Sequence, residues 1–258
     1  MTNPNVIIAV VNQKGGTGKT TTTVNLGAAL AHLGKKVLMV DMDPQGNLTF
    51  NFGIHNRYDY SLLHVLAGEA TIQETIKEQE LLHIVPADIH LASLEVSLAA
   101  QGNSEFLLKG VLSEVKHSYD YILLDCAPSL SILTINALTA ADKVIVPLQL
   151  EVLSLHGLSL IVDTIFDVKE TYNDNLSILG ILPVMVDYRR RVTGEIYDYL
   201  NENFGFRIME NKVGIDVRIV ESPSFGKSVI EYAPKSLGSE SYLKLAQEVE
   251  LLLNHNQN

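Results

Sequence analysis

The stretch "VIIAVVNQKGGTGKTTTT", residues 6–23, decides the fold of this chain. A run of six apolar residues enters a glycine-rich turn, and a predicted helix follows the turn. Glycines at positions 15, 16 and 18 let backbone N–H groups converge on an anion without clashes from Cβ atoms. A helix that begins near Gly18 adds the positive end of its dipole to such a site. The stretch therefore predicts a strand, a phosphate-binding turn and a helix in succession.

The turn matches the pattern G-x-x-x-x-G-K-[ST] at its end and departs from it at its start. Gly18, Lys19 and Thr20 supply the end, whereas Gln13 stands where the first glycine belongs and Lys14 adds a second lysine. We expect Lys19 to reach the β- and γ-phosphates of a nucleotide and the Thr20 hydroxyl to bind Mg²⁺. Because an unpaired buried charge is costly, Lys14 needs water or a phosphate as its own partner.

Composition and charge narrow the classes of protein to consider. The 258 residues are 47% hydrophobic and 19% charged, as in ordinary globular proteins. The longest apolar runs are far shorter than the ~20 residues of a membrane span, and no export signal is recognised. One cysteine, Cys126, excludes an internal disulfide framework, so we expect a cytoplasmic protein. The net charge of −11 argues against nucleic-acid binding by the whole surface but allows a local basic patch.

Short runs rich in Val, Ile and Leu alternate with segments of helical period along the whole chain. Strands that are apolar on both faces and separated by helices predict a doubly wound, mostly parallel α/β sheet flanked by helices. We expect one domain over residues 1–258. The predicted strands are 6–12, 36–41, 82–86, 120–125, 142–148 and 177–183. The predicted helices lie near 19–33, 61–67, 104–117, 131–140, 154–170, 191–203 and 239–254.

Acidic residues stand at the ends of two predicted strands, where ligands of such sheets gather. Asp41 and Asp43 end the strand in "VDMDPQGN", although a strand-end Asp before Pro is also an ordinary turn signal. Asp125 ends "YDYILLD", as in the Walker B arrangement, in which an acid at a strand tip binds Mg²⁺ directly or through water. We interpret the neighbouring Cys126 as a small buried hydrophobic residue. The eight histidines have no tight ligand spacing, so no metal site other than Mg²⁺ is expected.

The motif "KGGTGKT" resembles the deviant Walker A motif of the ParA/MinD family of P-loop ATPases, and nearly the whole chain resembles the ParA/Soj branch. The resemblance implies that Lys14 reaches across a nucleotide-sandwich dimer to the phosphates of the other subunit. It implies that Asp43 positions the attacking water, that Asp41 supports the Mg²⁺ shell, and that Pro128 belongs to a γ-phosphate-sensing switch segment. The nucleotide-binding residues would then be Lys14, Gly15, Gly16, Thr17, Gly18, Lys19, Thr20, Thr21, Asp43, Asp125 and Pro128, and the residues at the metal Thr20, Asp41 and Asp125.

The segment "VRIVESPSFGKSVIEYAPKSLGSESYLKLAQE", residues 217–248, resembles the C-terminal block of ParA and Soj proteins. By composition alone it is a mixed solvated surface. The resemblance places Arg218 on the family's DNA-binding arginine. It places Arg189 and Arg190 near a second one, although "RRRVTG" departs from the family's usual R-T-N-L and blurs the register. Contact would be to backbone phosphates and independent of base sequence.

Taken together, these patterns predict a nucleotide switch rather than a kinase, because no pocket for a phosphate-accepting substrate is recognised. The cofactors are ATP and Mg²⁺, and the partners implied by the resemblance are a second copy of the chain, non-specific DNA and a ParB-like adaptor, without a membrane. The alternatives are a ParA-like ATPase that positions a protein cargo, a MinD-like membrane ATPase and a metabolic P-loop ligase. The loops after strand 177–183 and around 213–217 are predicted to contact the adenine.

Overall fold

The computed structural model describes residues 5–55, 57–102, 104–187 and 192–255 of the chain. Its strands are β1 (Val6–Val10), β2 (Val37–Asp41), β3 (Lys77–Glu78), β4 (His83–Val85), β5 (Tyr121–Asp125), β6 (Lys143–Gln149) and β7 (Ser177–Val184). They form one sheet in the order β3-β4-β2-β5-β1-β6-β7, and every neighbouring pair is parallel except β3–β4. The predicted mostly parallel, doubly wound sheet is confirmed.

Helices cover both faces of this sheet. They are α1 (Lys19–His32), α2 (Asn47–Asn51), α3 (Leu62–Leu66), α4 (Ile72–Thr75), α5 (Leu91–Ala99), α6 (Leu107–Ser113), α7 (Ile132–Ala140), α8 (Val152–Thr171), α9 (Val192–Asn203), α10 (Val217–Glu221), α11 (Val229–Tyr232) and α12 (Leu237–His255). None of the described helices is long and apolar enough to cross a lipid bilayer.

The side chains of β1, one of the inner strands of the sheet, point alternately into two separate hydrophobic clusters. Ile7 and Ala9 of β1 belong to one hydrophobic cluster, and Val6 and Ile8 belong to the other. Successive residues of a strand point to opposite faces, so both faces of β1 are buried. This is the reason why the central strands consist of continuous apolar residues.

The sequence-based predictions differ from the structure mainly at short elements. All six predicted strands are present, but the two-residue strand β3 was missed because it is polar and pairs only at the sheet edge. Helix α5 was missed as well: only Leu91 and Leu98 of its nine residues are buried, which is too few for a clear helical period. The predicted helix 104–117 is a 3₁₀ turn at Ser104–Phe106 followed by α6 and a second 3₁₀ turn at Lys116–Ser118.

The order of the central strands brings the predicted site together. Strand β5 lies between β2 and β1, and Asp125 at its end is in register with Asp41 of β2 and with Val10 of β1. The glycine-rich loop leaves β1 at the same edge. Two acids and the anion-binding loop therefore meet at the carboxyl ends of three adjacent strands.

Candidate active site

The glycine-rich loop adopts left-handed turns at two of its glycines. Gly16 has φ 73° and Gly18 has φ 76°, a conformation that is strained for residues with a Cβ atom. Gly18 is the N-cap of α1, and no side chain of the described residues caps this helix. The first N–H groups of α1 are thus left for an anion at the positive end of the helix dipole.

Side chains around the loop fix its shape. The Asn12 side-chain amide donates a hydrogen bond to the Pro147 carbonyl (2.7 Å), and the Asn12 Oδ1 accepts one from the Lys14 N–H (3.0 Å). The buried Thr17 hydroxyl donates to the Lys14 carbonyl oxygen (3.1 Å). These bonds tie the loop to β6, so its backbone is organised before any ligand binds.

The two lysines of the loop have different environments. The Lys19 side chain is buried, and its Nζ donates a hydrogen bond to the Lys14 carbonyl oxygen at 3.2 Å. Burial lowers the pKa of Lys19, and the nearby Asp125 opposes that shift. A phosphate would be a better partner than a neutral carbonyl, because charge-assisted hydrogen bonds are roughly twice as strong.

Lys14 is half-exposed and is held by the start of α8. Its Nζ lies 3.3 Å from the Glu151 carboxylate and 3.4 Å from the Ser154 hydroxyl. Lys14 is not among the residues that line the cleft above the loop. Within one chain, therefore, the ammonium of Lys14 is directed to Glu151, and Lys19 is the lysine of the cleft.

Asp41 and Asp125 form a buried acidic pair beneath the loop. Asp41 accepts hydrogen bonds from the Thr49 hydroxyl (2.7 Å), the Thr49 N–H (2.9 Å) and the Asp43 N–H (3.2 Å). Burial raises the pKa of Asp41 to about 6. Burial, together with the neighbouring Asp41, raises the pKa of Asp125 well above its usual range. No sequence pattern identifies Thr49 as a partner of Asp41, because only the turn after β2 brings the two residues together.

The two carboxylate oxygens of Asp125 have different surroundings in the described part of the chain. Its Oδ1 accepts a hydrogen bond from the Thr23 hydroxyl (3.4 Å), but its buried Oδ2 has no hydrogen-bond partner among the described residues. A buried oxygen of this kind is expected to bind water or a cation. No group of three or more His, Cys, Asp or Glu side chains that could hold a metal ion exists in the described part of the chain. A buried carboxylate oxygen without a partner among the described residues is a donor that fits Mg²⁺, which keeps several waters and takes phosphate oxygens as further ligands.

Asp125→Asn is expected to raise the thermal stability of the ligand-free protein. The change removes an ionisable group whose raised pKa reflects burial and the facing Asp41, and an unsatisfied buried polar group costs about 1–3 kcal/mol, more when it is charged. With ATP and Mg²⁺ the order should reverse if Asp125 binds the cation, because the variant would offer a neutral amide oxygen in place of a carboxylate. Thermal unfolding with and without these ligands measures both effects.

Asp120→Asn at the other end of β5 is the matched control. The Asp120 carboxylate is also buried, but it accepts a hydrogen bond from the Lys36 N–H (2.8 Å). No stabilisation is expected from this change. A ligand-free Asp125→Asn protein that unfolds at or below the temperature of the wild type would contradict the assignment of an unpaired carboxylate.

A cleft of about 420 Å³, which we call the phosphate cleft, opens above the loop. The predicted site residues that line this cleft are Gly15, Gly16, Gly18, Lys19, Thr20, Thr21, Asp43 and Pro128. Four other predicted residues do not line it: Lys14, Thr17, Asp41 and Asp125. Sequence reasoning missed the other lining residues, which are Asn47, Phe50, Asn51, Met185 and Pro223. They come from segments far apart in the chain and share no motif.

Asp43 is oriented by the turn that follows it. Its Oδ1 accepts a hydrogen bond from the Gln45 N–H (2.9 Å), an Asx turn that fixes the carboxylate, and the side chain is only 7% exposed. Lys19, Pro128 and Asp43 line the same cleft. A carboxylate held in this way can orient a water molecule at the open side of the loop.

A second, mostly apolar cleft of about 470 Å³ adjoins the first. The two share Gly18, Thr21, Met185 and Pro223. Backbone hydrogen bonds from Val186 to Val213 (3.0 Å) and from Val213 to Pro183 (2.9 Å) join the loop after β7 to residues 213–216. Both loops predicted to contact an adenine therefore line one apolar wall beside the phosphate loop.

The remaining predicted residues fall in three places. Cys126 is 1% exposed and packs in the hydrophobic core, as predicted. Arg218 lies at the exposed start of α10, next to the apolar cleft that Ile219 and Val220 line. Arg189 and Arg190 lie outside the described residues.

A mostly parallel sheet with this loop after β1, acids at the tips of β5 and β2 and a second lysine in the loop defines a P-loop ATPase of the deviant Walker A type. A family model described as "AAA domain" matches residues 5–178. The sporulation initiation inhibitor protein Soj of Bacillus subtilis is 44% identical over 246 residues, which cover 94% of this chain and 97% of that protein. The chain belongs to the ParA/Soj family and is a ParA-like ATPase.

Two further similarities agree with this assignment. The chromosome partitioning protein ParA of Caulobacter vibrioides is 41% identical over 252 residues, covering 96% of this chain and 94% of that protein. The crystal structure of cobyrinic acid a,c-diamide synthase from Mycobacterium smegmatis with bound ADP and magnesium has a TM-score of 0.85 and 33% identity. That similarity covers 98% of this chain and 96% of the other.

Proposed function

We propose that this chain is an ATP-dependent dimerising switch that partitions chromosomal or plasmid DNA. Its ATP-bound dimer binds DNA without sequence preference, and a ParB-like partner stimulates hydrolysis of ATP to ADP and phosphate. The observation that carries the proposal is the position of the two lysines. Lys19 lines the cleft above the loop, whereas Lys14 is attached to the half-exposed Glu151 outside that cleft.

ATP binds with its phosphates on the loop and the first turn of α1. Lys19 and the N–H groups of Gly16 and Gly18 bind the phosphate oxygens, and Thr20 and Asp125 hold Mg²⁺. When bound, Mg²⁺ neutralises charge that develops on the transferred phosphoryl group. Asp43 orients the attacking water. Asp41 acts indirectly, since Thr49 and the Asp43 N–H already occupy its oxygens.

The base of ATP lies in the apolar cleft beside the loop. Val184, Val213 and Tyr242 line this cleft, and its walls continue directly into the phosphate cleft through Gly18 and Thr21. An aromatic base favours an apolar slot with a few polar groups at its rim. The loops after β7 and around 213–216 are thus the adenine contacts.

The second copy of the chain covers the surface around Lys14. Val152 and Leu153, at the start of α8, are 67% and 82% exposed and follow Glu151 directly. Exposed apolar side chains that adjoin a functional cation are typical of an interaction surface. In the dimer Lys14 exchanges Glu151 for the phosphates of the partner's nucleotide, so the dimer is stable only while the γ-phosphate is present.

DNA binds at the end of the molecule that carries α10. The chain as a whole is acidic, so contact must be local, and the Arg218 side chain is 52% exposed. Arg189 and Arg190, which lie outside the described residues, are the further cations that we propose for DNA contact. Two subunits present twice as many cations as one, and this avidity makes DNA binding depend on the dimer.

The chain acts as a single ATPase domain over residues 1–258 in the cytoplasm, associated with the nucleoid. A ParA-like ATPase that positions a protein cargo would share this site and differ only in its adaptor. A metabolic P-loop ligase would instead turn over a small-molecule substrate. If DNA and a ParB-like protein together accelerate ATP hydrolysis, that result favours the partition function over the cargo-positioning ATPase and the metabolic ligase.

Size-exclusion chromatography tests the switch directly. ATP and Mg²⁺ should convert the monomer into a dimer, ADP should not, and the dimer alone should be retained on a non-specific DNA duplex. A chain that stays monomeric with ATP and Mg²⁺ contradicts the proposal.

Arg218→Glu is expected to abolish retention on DNA while ATP-dependent dimers still form. Arg218 lies outside the phosphate cleft, so nucleotide binding should be unaffected. The wild-type affinity should fall steeply as salt rises, since each neutralised phosphate contributes about −0.9 to the slope of log K against log salt. Lys244→Glu on α12, whose side chain is 57% exposed, is a charge-matched control. If both variants and the wild type are retained equally on DNA, the surface around Arg218 is an ordinary solvated surface and does not bind DNA.

A further inference from the structure

Arg218 is engaged by side chains of its own segment. Its Nη1 donates a hydrogen bond to Glu221 Oε2 at 2.9 Å, one turn further along α10. The Tyr232 hydroxyl donates to the same oxygen at 3.1 Å. The Arg218 N–H is in turn held by the Asp216 carboxylate at 2.9 Å, which caps α10. The guanidinium therefore has a fixed partner before any ligand arrives.

Tyr232, which contacts Glu221, belongs to a segment that is hydrogen-bonded to α1, the helix that follows the phosphate loop. The Tyr232 ring stacks on Phe225 with 4.8 Å between ring centroids. At the start of α11, the Ser228 hydroxyl and the Glu231 carboxylate form a capping box. The next N–H, that of Val229, donates to the Asn25 side chain of α1 at 2.7 Å. Tyr232 is thus anchored to the helix that begins at the phosphate loop.

We propose that Glu221, positioned by Tyr232, is an internal competitor that a DNA phosphate must displace from Arg218. The inference rests on the proposed function, in which Arg218 contacts DNA. A carboxylate 2.9 Å from the guanidinium occupies one of its donors and repels an approaching phosphate. The contact lowers the affinity of each subunit for DNA, so that one subunit alone binds weakly and binding depends on both subunits of the dimer acting together.

Glu221→Gln should tighten DNA binding by the ATP-bound dimer. The glutamine keeps the length of the side chain and removes its charge. Exposed ion pairs of this kind are weak, so the expected gain is roughly twofold to fivefold per subunit. Fluorescence anisotropy on a labelled duplex at fixed salt measures it. Tyr232→Phe should shift the affinity in the same direction by a smaller factor, because Glu221 keeps its charge but loses one donor.

Glu240→Gln is the matched control. Glu240 forms a similar exposed pair with Lys244 (2.7 Å) on α12, and its side chain is 59% exposed against 40% for Glu221. A gain that Glu240→Gln reproduces would reflect net charge alone and would overturn the proposal.

The double variant with Arg218→Ala separates this inference from the proposed function. If Glu221 acts through Arg218, the Glu221→Gln change should have no effect in the Arg218→Ala background. A gain that persists there overturns the competitor role and leaves the DNA-binding role of Arg218 intact. If Arg218→Ala alone binds DNA like the wild type, the proposed role of Arg218 in DNA binding fails and the competitor role fails with it.

Discussion

Lys14→Ala is expected to abolish ATP-dependent dimerisation and to reduce stimulated ATP hydrolysis by roughly 10³- to 10⁵-fold, the range known for a cation that is supplied in trans. The reason is that Lys14 does not line the cleft of its own chain, so its charge is available to the phosphates of a partner. Binding of ATP by the monomer should persist, since Lys19, the lysine that lines the cleft, is unchanged. Equilibrium binding of a fluorescent ATP analogue and sedimentation analysis measure the two effects separately.

Lys116→Ala is the control for this change. Lys116 is a similarly exposed lysine that pairs with Asp142 (2.9 Å) far from the cleft, and its loss should leave dimerisation unchanged. A trans role also predicts that hydrolysis per chain rises with protein concentration. Wild-type dimerisation and hydrolysis by Lys14→Ala would refute the trans role, and so would hydrolysis per chain that stays constant across the dimerisation range.

Asp43→Asn is expected to slow ATP hydrolysis by about 10²- to 10⁴-fold, the usual contribution of a positioned acid or base. Asparagine can still accept the hydrogen bond from the Gln45 N–H, so the turn should keep its shape. ATP binding and dimerisation should survive, and the ATP-bound dimer should accumulate on DNA. Release of phosphate under single-turnover conditions isolates the chemical step.

Asp88→Asn is the matched control for Asp43→Asn. Asp88 follows β4 and accepts hydrogen bonds from the Ser61 hydroxyl and the His90 N–H, but it does not line the phosphate cleft. Its replacement should leave the hydrolysis rate close to that of the wild type. If Asp43→Asn also hydrolyses ATP at that rate, another group must orient the water.

Most of the fold could be predicted because its signals are local. The apolar runs that became β1, β2 and β5 are buried on both faces, so their hydrophobicity is continuous and easy to recognise. The phosphate loop was equally clear, because the left-handed conformation at Gly16 and Gly18 requires glycine. Elements without such a constraint were missed: β3 has two polar residues, and α5 has no continuous buried face.

The candidate site was predictable only in part. The lysines and acids of the site belong to short sequence motifs. The side chains that form hydrogen bonds and ion pairs with them lie outside those motifs. Thr49 binds Asp41 across eight residues, and Glu151 meets Lys14 across 137. No spacing rule connects such positions. The competition of Glu221 with DNA for Arg218 is likewise invisible in the sequence, because an acid three residues after an arginine is an ordinary helical pair.

The sequence by itself determined the class of this protein: the order of strands and helices, the phosphate loop with its two lysines, and the acids at the strand tips. These depend on backbone conformation and burial, which act within a few residues. Only the tertiary structure decided what holds Lys14, which oxygen of Asp125 has no partner among the described residues, and what holds Arg218. These depend on hydrogen bonds and charges between segments that become neighbours only when the chain folds.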